Sequence, residues 1–259
     1  MDLLKTVLVA VVGGSVGAAA LEGVHRFVPT GSGPAPAQLE SMMRNYIVSH
    51  PEVLQEAMAE FEKRQQTAET EKARSAVKNH SEAIFNSPRQ VTVGDRQGDV
   101  TLVEFFDYNC GYCKQALSDL NTLMKSDTKL RVVLKEFPVL GPGSVEAAQV
   151  AVAVRMQDPS GEKYLAFHQK LLGGRGQADK AHALAAANDV GVDMARLETD
   201  LASDEVKASI EESFKLAEQL GLNGTPSYVV GSEVVVGAVG LAALKEKVHA
   251  ARCGTATSC

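Results

Sequence analysis

The two cysteines at positions 110 and 113 stand directly after an apolar run, and this placement strongly constrains the fold. The run 101–106, in “TLVEFFDYNCGYC”, is typical of a buried strand. The segment “CKQALSDLNTLMK” that follows has helical periodicity, and “KLRVVLKEFPVL” is a second apolar strand. The order strand, helix, strand predicts a βαβ unit with both cysteines at the strand-to-helix turn.

The remaining chain predicts helices and two further strands around this unit. Residues 143–220 have helical patterns, and Ser144 is expected to cap the first of these helices. The strands “TPSYVVG” and “EVVVGAV” and a last helix, “GLAALKEKVHAAR”, complete the order. We therefore predict an α/β domain over 87–252 with a helical insertion at 143–220.

A leader, a linker and a helical extension are predicted before this domain. Lys5 precedes an apolar run of about sixteen residues, which is short for a bilayer span and typical of a secretion signal. Small residues spaced four apart also fit an uncleaved helix, so 1–27 is predicted to be a signal peptide or a membrane anchor. A Pro/Gly/Ser-rich linker follows at 28–37.

Residues 38–86 have apolar side chains at helical spacing, with a break at “SHPEV”. The apolar stripe is narrow, and after Phe61 the segment is polar nearly all round. Such a helix usually finds its partner in another subunit, so a homo-oligomer formed through 38–86 is expected. The alternative is that the segment packs on its own domain.

The composition narrows the class of partner. The chain has 259 residues, a net charge of -6 and no basic stripe, so nucleic acid is not an expected partner. A chain of this length can build its core without disulfides. The cysteines are therefore not needed to stabilise a small fold, and no cofactor is predicted.

The spacing of Cys110 and Cys113 predicts thiol chemistry. Residues three apart on a helix share one face, so the two sulfurs can close a disulfide ring. The helix N-terminus favours an anion, which predicts Cys110 as a thiolate nucleophile. Cys113 lies one turn inside, and we expect it to be more buried and to resolve the mixed disulfide that Cys110 forms with a substrate.

Two alternatives for this pair stay open. A zinc site needs four ligands, and the six histidines show no ligand-like spacing near the cysteines, so no metal site is predicted. A plain structural disulfide is the second alternative.

A proline at the start of a later strand favours the redox interpretation. Pro226, preceded by Thr225, cannot donate to a sheet ladder, so at this position it is tolerated or its peptide is cis.

The motifs “VEFFDYNCGYC” and “GTPSYVVG”, with the helical insertion between them, resemble the DsbA-like thiol-disulfide oxidoreductases of the thioredoxin superfamily. The resemblance implies a thioredoxin-like fold over about residues 90–250. It also implies a cis Pro226 that faces the cysteines, with Thr225 and Pro226 binding substrate backbone. Glu104, six residues before the first cysteine, matches the buried acid of the family. A carboxylate there would have a raised pKa and relay the proton of Cys113, unless it pairs with Lys135 on the neighbouring strand.

Several residues near the motif receive narrower expectations. The dipeptide between the cysteines is Gly111-Tyr112 and not Pro-His, so we expect a potential between those of thioredoxin and DsbA, about -270 and about -120 mV. Tyr112 is predicted to be an exposed contact for substrate. Asp107, Tyr108 and Asn109 are expected only to shape the approach to Cys110. His168 has apolar neighbours, which favours a core role.

The segment “YIVSHPEVLQEAMAEFEKRQ” resembles the N-terminal extension of the suppressor-of-copper-sensitivity protein C (ScsC) group. Some members of that group oligomerise through this extension and act as isomerases. The two resemblances imply a periplasmic enzyme, an isomerase or oxidase, that acts on cysteine-containing exported proteins and is recycled by a membrane redox partner. The alternative is a copper- or zinc-binding envelope protein that uses the same cysteines.

The tail 253–259 carries the other two cysteines, Cys253 and Cys259. In an oxidising compartment a short-loop structural disulfide is expected between them. A second redox pair, free thiols and copper capture are the alternatives, and the sequence does not decide among them.

Overall fold

The computed structural model describes residues 35–254. The leader 1–27 and the tail beyond Gly254, including Cys259, lie outside the described residues, as does most of the linker 28–37. None of the helices within 35–254 is long and apolar enough to cross a bilayer. The chain divides into two compact units, with the boundary between Lys63 and Arg64.

The first unit contains α1 (Pro36–Ser49) and the beginning of α2 (Glu52–Asn79). Pro36 stands in the first turn of α1, where its missing N–H costs no hydrogen bond. Pro51 separates the two helices, as the sequence predicts. The large apolar side chains of this unit are exposed, and they are Leu39, Met42, Met43, Tyr46, Ile47, Val48, Leu54, Met58 and Phe61. The narrow stripe predicted from sequence is therefore present on the surface of this unit.

The second unit contains a five-stranded sheet in the order β1-β3-β2-β4-β5. The strands are β1 (Val91–Gly94), β2 (Val100–Phe106), β3 (Leu130–Glu136), β4 (Ser227–Val230) and β5 (Glu233–Val236). Strands β2 and β3 are parallel, and every other pairing is antiparallel. The central parallel pair is the βαβ unit predicted from the cysteine motif.

Eight helices of the described chain follow α2. They are α3 (Ser81–Phe85), α4 (Gly111–Ser126), α5 (Pro142–Gln157), α6 (Glu162–Leu172), α7 (Lys180–Asp189), α8 (Met194–Leu201), α9 (Asp204–Leu220) and α10 (Gly240–Cys253). Helix α4 connects β2 to β3, and α5 to α9 form the insertion before β4. The predicted thioredoxin-like α/β fold with a helical insertion and a helical N-terminal region is confirmed.

Both faces of the sheet are covered, which explains why β2 is a continuous apolar run. Leu102 and Phe106 point into the larger core, which includes side chains of α4, α6 and α10. Val103 and Phe105 point into a second core on the opposite face, with side chains of α9. Alternate residues of one strand therefore reach different cores, as the period of two requires.

The second core also receives the end of the segment 38–86. Val77 of α2 and Ile84 of α3 are buried there beside Phe105. Residues 64–86 therefore belong structurally to the sheet-containing unit. The exposed apolar stripe lies before Arg64.

Candidate active site

Cys110 is the N-cap residue of α4, at the carboxyl end of β2. Its backbone is extended, and its sulfur accepts a hydrogen bond from the N–H of Cys113 at 3.4 Å. A sulfur in this position meets the unpaired N–H groups of the first helical turn, which stabilise negative charge. The local structure therefore places the Cys110 sulfur at the N-terminus of α4, at the position that the motif predicts.

The turn before β4 packs against this sulfur. The Thr225–Pro226 peptide is cis, as predicted. The Cys110 thiol donates to the carbonyl oxygen of Thr225 at 3.2 Å. Because β4 pairs with β2, with Ser227 opposite Phe105, the sheet register holds the two segments together. Cys110, Thr225 and Pro226, which are far apart in sequence, thus meet at one end of the sheet.

Cys113 and Tyr112 have opposite environments on the first turn of α4. Cys113 is fully buried. Cys110 and Cys113 are both free cysteines in this structure. Burial raises the pKa of the Cys113 thiol, and the nearby charge of Glu104 raises it further. Tyr112 is 66% exposed and free to contact another molecule. These environments agree with a buried, protonated resolving thiol beside an exposed aromatic contact.

Glu104 is buried in β2, and burial raises its pKa to about 8. No hydrogen bond or ion pair to its carboxyl forms within the described chain. The alternative pairing with Lys135 is wrong, because Glu104 lies opposite Leu134, whereas Lys135 lies opposite Phe105. Lys135 therefore points to the other face of the sheet.

On that face the Lys135 Nζ donates to the carbonyl of Ala83 at 2.9 Å and lies 5.8 Å from the Phe105 ring centroid. Burial lowers the pKa of Lys135 to about 7. This lysine thus links the sheet to α3, and Glu104 is left as the buried carboxyl whose charge acts on Cys113.

Asp107 organises the loop between β2 and Cys110. Its two carboxylate oxygens accept from the backbone N–H groups of Asn109, Val139 and Leu140 and from the Ser144 hydroxyl, at 2.7 to 2.9 Å. The carbonyl of Asp107 also accepts from the Cys110 N–H at 3.1 Å. The buried Asp107 side chain therefore holds two loops together beside Cys110, the loop between β2 and α4 and the loop that follows β3.

Asn109 connects the same loop to the helical insertion. Its amide donates to the Ser144 hydroxyl at 2.9 Å and to the Ala178 carbonyl at 2.8 Å, and its oxygen accepts from the Ala178 N–H at 2.7 Å. Ser144 was predicted to cap a helix, but Gly141 is the N-cap of α5. The Ser144 hydroxyl is instead committed to Asp107. The sequence signal for this contact between Ser144 of α5 and the Asp107–Asn109 loop was limited to the polar side chains on the two segments.

A buried polar cluster lies behind the loop. The hydroxyls of Tyr108 and Tyr164 both donate to the Glu136 carboxyl. Burial raises the pKa of Glu136 to about 8. His168 is fully buried and has no hydrogen-bond partner among the described residues. Its ring packs edge-on against the Phe106 ring, with 4.5 Å between the ring centroids. Burial lowers the pKa of His168 to about 3, so its ring is neutral. The core role predicted for His168 is confirmed.

Exposed apolar side chains lie on the segments that are tied to the cysteine loop and to the Thr225–Pro226 turn. Val139 and Leu140 follow β3 in the loop held by Asp107. Val236 and Val239 lie on either side of Gly237 and Ala238, and the Gly237 N–H donates to the Pro226 carbonyl at 2.8 Å. Together with Tyr112, these side chains are called the apolar rim of the site.

No group of three or more His, Cys, Asp or Glu side chains within 35–254 is arranged to hold a metal ion. Cys253 is the last residue of α10, and its sulfur lies 3.6 Å from Nδ1 of His249. Its predicted partner, Cys259, lies outside the described residues. The disulfide between them stays a prediction.

Two family models match the chain. The model described as a DSBA-like thioredoxin domain matches residues 101–249. The model described as the N-terminal domain of copper resistance protein ScsC matches residues 37–68.

Solved structures and curated sequences give further similarities. A thioredoxin-like oxidoreductase from Silicibacter pomeroyi is 43% identical, with a TM-score of 0.62, over 66% of this chain and 96% of that one. Proteus mirabilis ScsC in a transitional conformation is 28% identical, with a TM-score of 0.64, over 83% of this chain and 96% of that one. Na(+)/H(+) antiporter NhaA 1 of Salinispora arenicola is 30% identical over 62% of this chain. The chain spans only 24% of the length of that antiporter.

Proposed function

Because the chain belongs to the DsbA-like thioredoxin family, as its motifs predicted, we propose that it is a thiol–disulfide oxidoreductase acting on cysteines of exported proteins. The match at 101–249 covers more than half of the chain. The observation that carries the proposal is the position of Cys110. Its sulfur caps α4, contacts the Thr225 carbonyl and lies one turn from the buried Cys113.

The proposed reaction is a two-step exchange. The Cys110 thiolate attacks one sulfur of a substrate disulfide, the S–S bond breaks, and the other substrate sulfur leaves as a thiolate. Cys113 then loses its proton to the Glu104 carboxylate and attacks the sulfur of Cys110. The bond between Cys110 and the substrate breaks, and the second substrate sulfur leaves as a thiolate. The products are a Cys110–Cys113 disulfide and a substrate with two reduced cysteines. The reverse sequence oxidises a substrate dithiol.

Substrate binding is assigned to the surface around the sulfur. We propose that Thr225 and Pro226 contact the substrate backbone, because the Thr225 carbonyl already reaches Cys110. The apolar rim, Tyr112 included, suits the apolar side chains that incompletely folded proteins expose. An extended segment next to a substrate cysteine is the expected ligand.

The compartment and the direction of the reaction are part of the same proposal. We propose a periplasmic enzyme, either free or anchored by the segment 1–27, that is recycled by a membrane redox partner. We favour the isomerase direction over the oxidase direction, because the N-terminal extension resembles that of the ScsC group, some members of which act as isomerases. An isomerase must be kept reduced, since attack on a wrong disulfide needs the free Cys110 thiolate.

The purified chain is expected to catalyse the reduction of insulin by dithiothreitol and the recovery of activity from scrambled ribonuclease. Binding of Cu(I) and Zn²⁺ is measured by competition with chelators under the same reducing conditions. Absence of both activities, combined with a metal held at micromolar or better affinity, would replace the redox function with the metal-binding alternative.

Oligomerisation is proposed to use the exposed apolar stripe before Arg64. Deletion of residues 38–63 tests this proposal. Deletion of the whole predicted extension 38–86 would also remove Val77 and Ile84, which belong to the second core. Light scattering is expected to show an oligomer for the full chain and a monomer for the truncated chain. The double variant Leu54→Glu/Phe61→Glu should also be monomeric, since both side chains are exposed in this structure.

Gln55→Glu is the matched control, because it adds the same type of charge to the same helix at an exposed polar position. If the truncated chain and the double variant both keep the number of subunits of the full chain, the proposed oligomerisation through this stripe is wrong.

A further inference from the structure

A polar cleft lies beside the edge strand β1 of the sheet. Its volume is about 380 Å³, and its lining includes Asn86, Thr92, Arg96, Arg131, Arg155 and Asp158. In the parallel register Arg131 lies opposite Thr101, whereas Glu136 lies opposite Phe106, next to the redox loop. Five residues of strand separate Arg131 from Glu136 by about 16 Å, and β3 also lies between the edge strand β1 and β2, so the cleft is separate from the site around Cys110.

The charges that line the cleft are unbalanced. Arg155 has a carboxylate partner, Glu205, at 2.8 Å. The Asp158 carboxylate accepts from the N–H and hydroxyl of Ser160 and from the N–H of Tyr164. It therefore already serves its own loop and pairs with neither remaining arginine.

Arg96 and Arg131 donate only to neutral acceptors within the described chain. Arg96 donates to the carbonyls of Pro159 and Ser160 at 2.6 and 3.3 Å, and Arg131 donates to Oδ1 of Asn86 at 3.1 Å. Neither has a carboxylate within ion-pair distance among residues 35–254. Burial, together with the charge of Arg96, lowers the pKa of Arg131, which means that the two guanidinium groups repel each other.

Two buried guanidinium nitrogens also lack an acceptor in the described structure. They are Nε of Arg131 and Nε of Arg155, both on residues that line the cleft. Leaving a buried charged donor unsatisfied is costly, typically by about 1–3 kcal/mol or more. An anion in the cleft would offset the repulsion between the Arg96 and Arg131 guanidinium groups and the cost of burying these charged side chains.

We propose that this cleft binds a small oxyanion of the phosphate or sulfate class. Guanidinium groups match the tetrahedral oxyanions, because their planar N–H forks donate in pairs. Asn86 follows α3, Arg96 lies in the turn between β1 and β2, and Asp158 follows α5. A bound anion would join Arg96, in the turn after β1, to Arg131 of β3, so binding should stabilise the folded chain as the site fills.

The test is the thermal midpoint of the full chain against phosphate, sulfate, acetate and chloride at matched ionic strength, with affinities from calorimetry. Phosphate and sulfate are expected to raise the midpoint saturably, and chloride and acetate are not. Arg131→Gln and Arg96→Gln should each weaken phosphate binding at least tenfold. Arg175→Gln, an exposed arginine that lines a different cleft, makes the same change in net charge and should change the affinity less than twofold.

Equal shifts with chloride, or wild-type affinity in both Arg96→Gln and Arg131→Gln, would overturn the site. Binding of acetate as strong as that of phosphate would overturn the ligand class. If Arg131→Gln does not fold, Arg96→Gln still decides the question, since Arg96 is exposed in a turn.

Discussion

Replacing Cys110 with alanine is expected to reduce insulin-reductase activity to the uncatalysed background. Cys110 is the sulfur at the N-terminus of α4 and beside Thr225, whereas Cys113 is fully buried and its thiol has a raised pKa. Among residues 35–254 the other cysteines are the buried Cys113 and Cys253, which is the last residue of α10. The measurement is the rate of insulin precipitation, with folding of the variant checked by circular dichroism.

Cys113→Ala should behave differently, because the attacking sulfur remains. The variant is expected to accumulate a mixed disulfide between Cys110 and the substrate, visible as a mass increase that dithiothreitol removes. The double variant Cys253→Ala/Cys259→Ala is the matched control and should keep wild-type activity. Full activity in Cys110→Ala would contradict the assignment, and loss of activity in the tail variant would make the tail a second redox pair.

Replacing Glu104 with glutamine is expected to raise stability at alkaline pH. The pKa of Glu104 is about 8 in the folded chain, against an ordinary value of 4.5. The folded state therefore keeps a proton that the unfolded state releases. The contribution of Glu104 to stability is therefore greatest below pH 4.5, falls as pH rises toward 8, and levels off above 8. Each pKa unit is worth about 1.4 kcal/mol, so Glu104→Gln should gain on the order of 5 kcal/mol at pH 9.

The same variant should slow the resolving step. Without a carboxylate to accept its proton, Cys113 is expected to attack the mixed disulfide roughly 10²-fold more slowly at pH 8. The wild-type rate should rise with pH through about 8, the pKa of Glu104. In Glu104→Gln this rise should move to higher pH. Urea unfolding at pH 5 and pH 9 and stopped-flow measurement of the resolving rate provide the two readouts.

Glu136→Gln is the matched control for Glu104. Glu136 is also buried with a pKa raised to about 8, but its hydrogen bonds go to Tyr108 and Tyr164 and not to the cysteines. It should change stability with pH and leave the resolving rate unaltered. If Glu104→Gln changes stability alone, Glu104 is a structural residue and the proton relay is wrong.

The cysteine motif predicted the centre of the fold because its signals are local. A buried strand, a strand-to-helix turn and a helix are each encoded in a few consecutive residues, so Cys110 at the first turn of α4 could be placed without other information. Thr225 and Pro226 were placed opposite Cys110 through family resemblance. The two segments meet because β4 pairs with β2.

The contacts that depend on strand register or on the insertion could not be predicted. The hypothesis of a Glu104–Lys135 pair was wrong because the parallel register puts Phe105, and not Glu104, opposite Lys135. Ser144 was expected to cap a helix, yet it serves Asp107, 37 residues earlier in the chain. Local periodicity carries no information about either distance in space or the facing residue of a neighbouring strand.

Equilibration of the chain in glutathione buffers of graded potential, followed by alkylation and mass measurement, tests the central claim most directly. We expect Cys110 and Cys113 to oxidise together in one two-electron transition, at a potential between about -270 and about -120 mV. The Cys253→Ala/Cys259→Ala variant should show the same transition. A pair that stays in one state across this range, or two cysteines that take up glutathione independently, would contradict the account.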